Sequence, residues 1–336
     1  MPLSTLETAL DQVYSHGDIE GLEILWLTGE PLVMGIEYFR EAVNICRKAS
    51  PPGIRPTFVV QTNGTLIDEN WCEFFIENDF VVGVSMDGPQ PIHDGQRKTR
   101  LGTGTFSDVG RGVSLLTQWG VKGGAICVIT KATLDFPAED LFYFFREKGI
   151  AWSYLIEAGI GENVISPRVL TIADLPRIKA YLSRLLDLWA QYPESYIRVF
   201  DTTARRVFGG VRPKPDFNNL GCLDILNVTD DGSFFWGNPE LMTAMLGPLK
   251  HLRNNVLRDN IWECRSLPEF VSYQTEVHQG VAKCRETCAF FEGCQGGNPA
   301  HKYYELGTFG AADHTSCRLN EQVVETLMSQ KLGHHL

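Results

Sequence analysis

Between Cys284 and Gly297 the sequence reads CRETCAFFEGCQGG, three cysteines and a glycine pair in one short loop. The spacing is C-x3-C-x5-C, and Cys317, in HTSCRLN, follows twenty-three residues after Cys294. Cys284, Cys288, Cys294 and Cys317 together offer four thiolates, the donor set that structural zinc sites and iron–sulfur clusters both require. Spacing alone does not choose the metal. Zinc knuckles usually come as two short pairs, whereas here three ligands share a loop and the fourth arrives alone, a pattern that leans toward a cluster. The other cysteines have plainer settings. Cys46 and Cys72 sit in helical patterns, Cys127 in an apolar run and Cys264 in a polar connection, so each reads as a small buried thiol. Cys222, in NLGCLDILNV, opens a hairpin region and is less settled.

The elements that must position these thiols follow from the patterning. From Leu22 to about Asp201 short β-type runs alternate with amphipathic helical ones, the rhythm of a parallel sheet with crossover helices. The expected strands are LEILWL, TFVVQT, FVVGVS, AICVIT and WSYLIE, with IRVF the least secure. The expected helices are EYFREAVNICRKA, ENWCEFFIEN, FSDVGRGVSLLTQW, EDLFYFFREKG and a long run from Ile172 to Gln191. At GGVRPKPDFNNLG the rhythm stops among Pro, Gly and Asn, which places a boundary near residue 210 and gives domains 1–210 and 211–336. Beyond it, ILNVTDDGSFFW predicts a hairpin turning at Asp231-Gly232. The N-terminal LSTLETALDQVYSH puts Leu3, Leu6, Leu10, Val13 and Tyr14 on one helical stripe, with a capping box expected from Ser4 to Glu7.

Composition narrows the function. With 336 residues, 43% of them apolar, the chain can fill a real core. Its formal charge of -11 argues against nucleic acid or an anionic membrane as the main partner, since both need a basic face. No basic segment leads into an apolar core at the N-terminus, and no run is long enough to span a bilayer, so a cytoplasmic protein is expected. In that compartment nine cysteines point to metal ligands or core residues rather than a disulfide framework.

Five stretches in order, LTGEPL, QTNGTLID, VSMDGPQPIHDGQR, GTFSDVGRGVSLL and the cysteine block, resemble the radical S-adenosylmethionine (radical SAM) enzymes that carry a C-terminal SPASM-type extension. The segments LNVTDDGSFFWGNPEL and GNPAHKYYELGTF look most like the branch that matures glycine-rich repeat peptides. The resemblance implies an α/β fold, a partial (β/α)6 TIM-like barrel followed by a small cysteine-rich domain. It implies that Gly29 and Glu30 hold the SAM amino group, that Asn63 presents an amide to the cofactor, that Ser85 and Asp87 bond its ribose or carboxylate side, and that Arg97 pairs with its carboxylate. It further implies a precursor peptide as substrate, an external electron donor, and a [4Fe-4S] auxiliary cluster on Cys284, Cys288, Cys294 and Cys317. A second auxiliary cluster is not expected. Cys222 matches one of its ligand positions, but SFFWG follows Gly232 and Asn298 stands where another cysteine belongs.

The chain departs from the family pattern in two ways. Thr28 replaces a common glycine and Leu27 a common histidine. The C-x3-C-x2-C motif for the catalytic cluster, which precedes the GEP strand in the family, is absent, along with the first barrel strand. A late start within a longer protein is the expected cause; a non-catalytic relative that binds a peptide or partner is the alternative. A zinc-stabilised protein of unrelated activity stays open as a third reading.

Overall fold

The computed structural model describes residues 1–157, 168–209 and 224–332, so Cys222 and the expected boundary segment lie outside the described residues. Two compact units emerge. One comprises residues 18–155 and 177–201; the other gathers 1–17, 156–176 and 202–336. The division is not a single cut near residue 210, because the N-terminal helix α1 (Leu3–Ser15) packs with the C-terminal half. Its buried stripe is Leu6, Ala9, Leu10 and Val13. On its other flank Gln12 donates to Val256 O at 2.7 Å and accepts from Ile261 N–H at 2.8 Å, while Trp262 Nε1 donates to Gln12 O at 2.7 Å. The expected capping box does not form: Pro2 is the N-cap, with no side-chain cap bond, and Ser4 and Glu7 fall inside the helix.

The first unit is built on a five-stranded sheet in the order β1 (Glu23–Trp26), β2 (Thr57–Thr62), β3 (Val81–Ser85), β4 (Gly123–Ile129), β5 (Trp152–Ile156). Strands β1 to β4 pair in parallel, with Trp26 opposite Val60, Thr62 opposite Val84 and Ser85 opposite Ile126. Crossover helices join them: α2 (Ile36–Ala49), α3 (Glu69–Glu77), α4 (Gln90–Gln96), α5 (Phe106–Trp119) and α6 (Ala138–Glu147); α7 (Leu175–Gln191) and α8 (Arg198–Gly209), most of the latter in the other unit, follow β5. The β-branched runs extend because Val and Ile pack well on a pleated surface. Between β1 to β3 and helices α2 and α3, Phe39, Phe58, Phe74, Phe75 and Phe80 form a fully buried aromatic core. Cys46 and Cys72 lie within it, burial pushing their thiols up to about 12 and 11, as expected of inert core residues. One strand was misread: IRVF contributes a single bridge, Ile197 to Trp152, and then enters α8.

The second unit contains a three-stranded sheet. Strands β6 (Leu226–Val228) and β7 (Ser233–Trp236) form the expected hairpin, with Val228 opposite Phe234 and Gly232 at φ +79° in its turn. Strand β8 (Asn254–Asn255) adds a third edge. The helices that follow are α9 (Met242–Met245), α10 (Pro268–Thr287), α11 (Phe291–Cys294), α12 (Pro299–Leu306), α13 (Thr315–Cys317) and α14 (Val323–Leu332). A π-helical turn, Arg318–Gln322, joins the last two. Among the described residues no helix is long and apolar enough to cross a membrane.

Candidate functional site

In the first unit, the residues named from the sequence gather at the carboxyl ends of parallel strands, where α/β sheets collect ligands. Beyond β1 the chain turns through Thr28 at φ +73° and Gly29 at φ +62°. A β-branched residue in this region is unusual and costly, so Thr28 keeps a conformation that suits glycine. Glu30 then reaches across to the end of β2. Its Oε2 accepts from Asn63 N–H at 2.7 Å, and its Oε1 accepts from Thr62 Oγ1 at 2.7 Å and from Leu32 N–H at 3.0 Å. Three of its acceptor positions therefore latch two loops together, and one is left for a ligand cation. Asn63 uses its Oδ1 to close a turn on Thr65, accepting from N–H at 2.9 Å and Oγ1 at 2.8 Å.

At the end of β3, Ser85 Oγ accepts from Gln61 Nε2 at 3.1 Å. Asp87 follows two residues on. It is 1% exposed, and both carboxylate oxygens are taken by its own chain: Arg97 Nε at 2.7 Å on Oδ2, with Arg97 Nη2 at 3.1 Å and Val128 N–H at 2.9 Å on Oδ1. Asp87 thus aims Arg97, whose side chain remains 29% exposed. Beneath it lies His93, a residue the sequence reading missed. Its Nδ1 accepts from Asp87 N–H at 3.3 Å, its Nε2 sits 3.0 Å from Thr105 Oγ1, and burial lowers its pKa.

The second unit carries the four cysteines. Cys284 lies in the last turn of α10 and Cys288 is its C-cap, with Cys288 N–H donating to Cys284 O at 2.9 Å. Cys294 ends α11 and Cys317 ends α13. All four are free, three buried and Cys288 half-buried. The Cys294 thiol is pushed far up by its hydrogen bond to Cys317 and by burial; Cys284 is raised by burial, and feels both Cys294 and Cys288. Among the described residues, no three His, Cys, Asp or Glu side chains converge as one metal ion would require.

The glycine pair has a structural reason. After Cys294 the chain takes positive φ at three successive residues, Gln295 (+56°), Gly296 (+112°) and Gly297 (+69°). A Cβ on Gly296 would stand 2.9 Å from Val281 Cγ2, and one on Gly297 would stand 3.4 Å from His314 Nε2 and 3.8 Å from Cys294 Sγ. Asn298, in the position of an absent cysteine, caps α12 instead: its Oδ1 accepts from Ala300 N–H at 2.8 Å.

Two nitrogen groups beside the sulfurs were not foreseen. Lys302, on α12, is 1% exposed, and its Nζ donates to Cys284 Sγ at 3.7 Å. The groups acting on its charge, once burial is set aside, are Cys284, Cys294 and Cys317. His314 is buried with Nε2 lacking a partner. A buried ammonium without an anion, and a buried ring nitrogen without a hydrogen bond, are each costly. Both fit a negatively charged, sulfur-rich group held by the cysteines. Sequence position alone gave no signal for either residue beyond proximity to the cysteines.

The same unit contains a cavity of about 490 Å³ lined by Glu157, Leu170, Ile172, Tyr304, Asp313 and Arg318 among others. Its walls mix carboxylates, a guanidinium and apolar side chains.

No protein-family model matches the chain. It is 29% identical over 340 residues to an uncharacterized protein, sll1766, of Synechocystis, an alignment covering 98% of this chain and 84% of that protein. It is 29% identical over 281 residues to the cysteine-type anaerobic sulfatase-maturating enzyme of Clostridium perfringens, covering 80% of this chain and 71% of that one. The serine-type counterpart from Bacteroides thetaiotaomicron is 35% identical over 161 residues, 48% of this chain and 38% of that enzyme. Among solved structures, native anSMEcpe with bound AdoMet superposes with a TM-score of 0.81 at 24% identity, over 100% of this chain and 89% of that one. Streptococcus suis SuiB bound to precursor peptide SuiA gives 0.60 at 15% identity, over 95% and 69%. The fold is that of the radical SAM maturases. Within this radical SAM maturase fold, the strand-end residues belong to the parallel sheet and the cysteines to the smaller cysteine-rich part.

Proposed function

We propose that the chain is of the radical SAM, SPASM-type peptide-maturase kind, acting on a ribosomally made, glycine-rich precursor, although the C-x3-C-x2-C motif of the catalytic cluster does not occur in it. In this reading Gly29 and Glu30 receive the SAM ammonium, Glu30 through its remaining acceptor position. Asn63 and Ser85 bond the cofactor's polar edge. Arg97, aimed by Asp87, binds its carboxylate. Cys284, Cys288, Cys294 and Cys317 hold one auxiliary [4Fe-4S] cluster, and an external donor supplies electrons. When bound to a reduced cluster, SAM supplies a 5′-deoxyadenosyl radical able to abstract hydrogen from carbon. The chain's own residues orient the cofactor and the peptide.

The observation that carries the reading is the cysteine nest with Lys302 buried against it. Four cysteines, three of them sharing one loop, offer the thiolate set that such a cluster requires. Peptide chemistry is supported by the structural neighbours, anSMEcpe with the Kp18Cys peptide and SuiB with precursor peptide SuiA. The glycine-rich preference rests on the LNVTDDGSFFWGNPEL and GNPAHKYYELGTF segments. The 490 Å³ cavity offers room for a peptide segment, with Asp313 and Arg318 as polar contacts.

The test has two parts. Anaerobic reconstitution followed by iron and sulfide analysis is expected to give about four of each per chain, and zinc alone would defeat the cluster. Fluorescence anisotropy with a labelled glycine-rich peptide is expected to show saturable binding that a scrambled, glycine-poor peptide lacks; equal binding of both would defeat the substrate class.

A further inference from the structure

His314 has two neighbours at Nδ1. Cys317 N–H lies 3.3 Å away and points at it, and Glu305 Oε1 lies 3.5 Å away. The carboxylate oxygen already accepts from Ser316 N–H at 2.9 Å and Ser316 Oγ–H at 2.5 Å, so it has no need of a further donor. The Cys317 N–H, at the first turn of α13, is otherwise unsatisfied, and His314 is the cap that receives it. Nδ1 is therefore the acceptor. The ring proton is on Nε2, a tautomer assigned from this network.

Nε2–H is buried and has no acceptor among the described residues. What it faces is the glycine turn: a Cβ on Gly297 would touch both Nε2 and Cys294 Sγ. Gly297 leaves open the space between the imidazole and the cysteine. On another side, Lys302 Nζ, 1% exposed, points at Cys284 Sγ from α12. Two buried N–H donors from different elements thus lie beside cysteine sulfurs, Nε2 across the Gly297 space from Cys294 Sγ with no protein acceptor among the described residues, and Nζ at 3.7 Å from Cys284 Sγ. Hydrogen bonds and positive charge at cluster sulfurs stabilise the reduced, more negative state of an iron–sulfur cluster.

We infer that His314, through Nε2–H, and Lys302, through Nζ, are positioning residues that donate to sulfur atoms of the cluster held by Cys284, Cys288, Cys294 and Cys317 and raise its one-electron reduction potential. The inference rests on the cluster assignment proposed above. It adds that the chain's own residues set how readily that cluster takes an electron. Neither residue is assigned as a ligand: Lys302 Nζ donates to Cys284 Sγ, and the Nε2 lone pair is occupied by a proton.

The test is an EPR-monitored redox titration of the anaerobically reconstituted protein, with iron content measured on every sample. Lys302→Met and His314→Phe, each retaining iron, are expected to titrate at a more negative potential than the parent. Lys302→Arg is expected to restore most of the shift. Unchanged potentials at full iron content would overturn the inference while leaving the cluster in place. A parent protein that takes up no iron would overturn the cluster assignment and the inference with it. Should a variant lose iron, the parent itself decides: pulsed EPR on protein labelled with 15N-histidine is expected to show a weak, through-hydrogen-bond nitrogen coupling. No coupling, or the strong coupling of a directly bound nitrogen, refutes the donor role.

Discussion

Glu325, on α14, offers a sharp stability experiment. It is 7% exposed, its Oε1 has no partner, and it abuts Gly293 in α11, between Cys288 and Cys294. Burial, reinforced by the neighbouring Glu321 and only partly offset by Arg206, pushes its carboxyl from an ordinary 4.5 up to about 7. The folded state therefore holds this proton more tightly than the unfolded state. Stability from this group is fully present below about pH 4.5, falls as pH rises toward 7, and above that the folded protein carries the whole cost of a buried carboxylate. At about 1.4 kcal/mol per tenfold change in proton affinity, that cost is at most ~3.5 kcal/mol. Solvent screening and local relaxation bring it to about 1–2 kcal/mol. The isosteric Glu325→Gln removes the charge and keeps the shape. Urea unfolding at pH 8 is expected to show the variant more stable than the parent by about 1–2 kcal/mol, with the melting temperature up by a few degrees; at pH 5 the two should nearly coincide. An equal effect at both pH values, or a larger loss at pH 8, would refute the reasoning.

Further predictions concern both units. Asp87→Ala strands the Arg97 guanidinium and the Val128 N–H, and denaturant unfolding is expected to report a loss of about 3–5 kcal/mol. A loss below about 1 kcal/mol would show the pair to be dispensable. Thr28→Gly relieves a β-branched residue at φ +73° and should stabilise the chain by about 0.5–1 kcal/mol despite the greater freedom of glycine when unfolded. Gly112→Ala, in α5, would bring a Cβ to 2.4 Å from Gly64 O, so a loss of about 1–3 kcal/mol should outweigh the better helix propensity of alanine. Cys294→Ser is expected to lower iron content well below four per chain, whereas Cys264→Ser, outside the cluster, should leave it unchanged.

Much of this protein was legible in the sequence. Alternation of β-branched runs with amphipathic helices determined the parallel sheet, since period and propensity are local properties: β2 is TFVVQT and α5 is FSDVGRGVSLLTQW, residue for residue as read. Asp231-Gly232 fixed the hairpin for the same reason. The density of the cysteines was visible in the sequence, whereas the positive φ at Gln295, Gly296 and Gly297 came only with the structure. Where local pattern misled, a tertiary contact had intervened. IRVF has strand-like residues, yet beyond Ile197 it continues into α8. The first helix satisfies the Ser4 to Glu7 signature, yet Pro2 sets its start and Gln12 ties it to a segment some 250 residues on. Asp87, named from the sequence for a cofactor contact, is buried beneath Arg97 because Val128 N–H and the guanidinium both reach it from elsewhere in the chain. Lys302 and His314 show the limit most clearly. Nothing in their type or spacing distinguishes them from surface residues, and only the folding of α10, α12 and α13 around the same sulfurs removes them from water. The sequence by itself determined which residues can bind metal and which runs make strands. Tertiary structure alone decided which polar groups lost their hydration, because desolvation depends on what packs against a group and not on its neighbours in the chain.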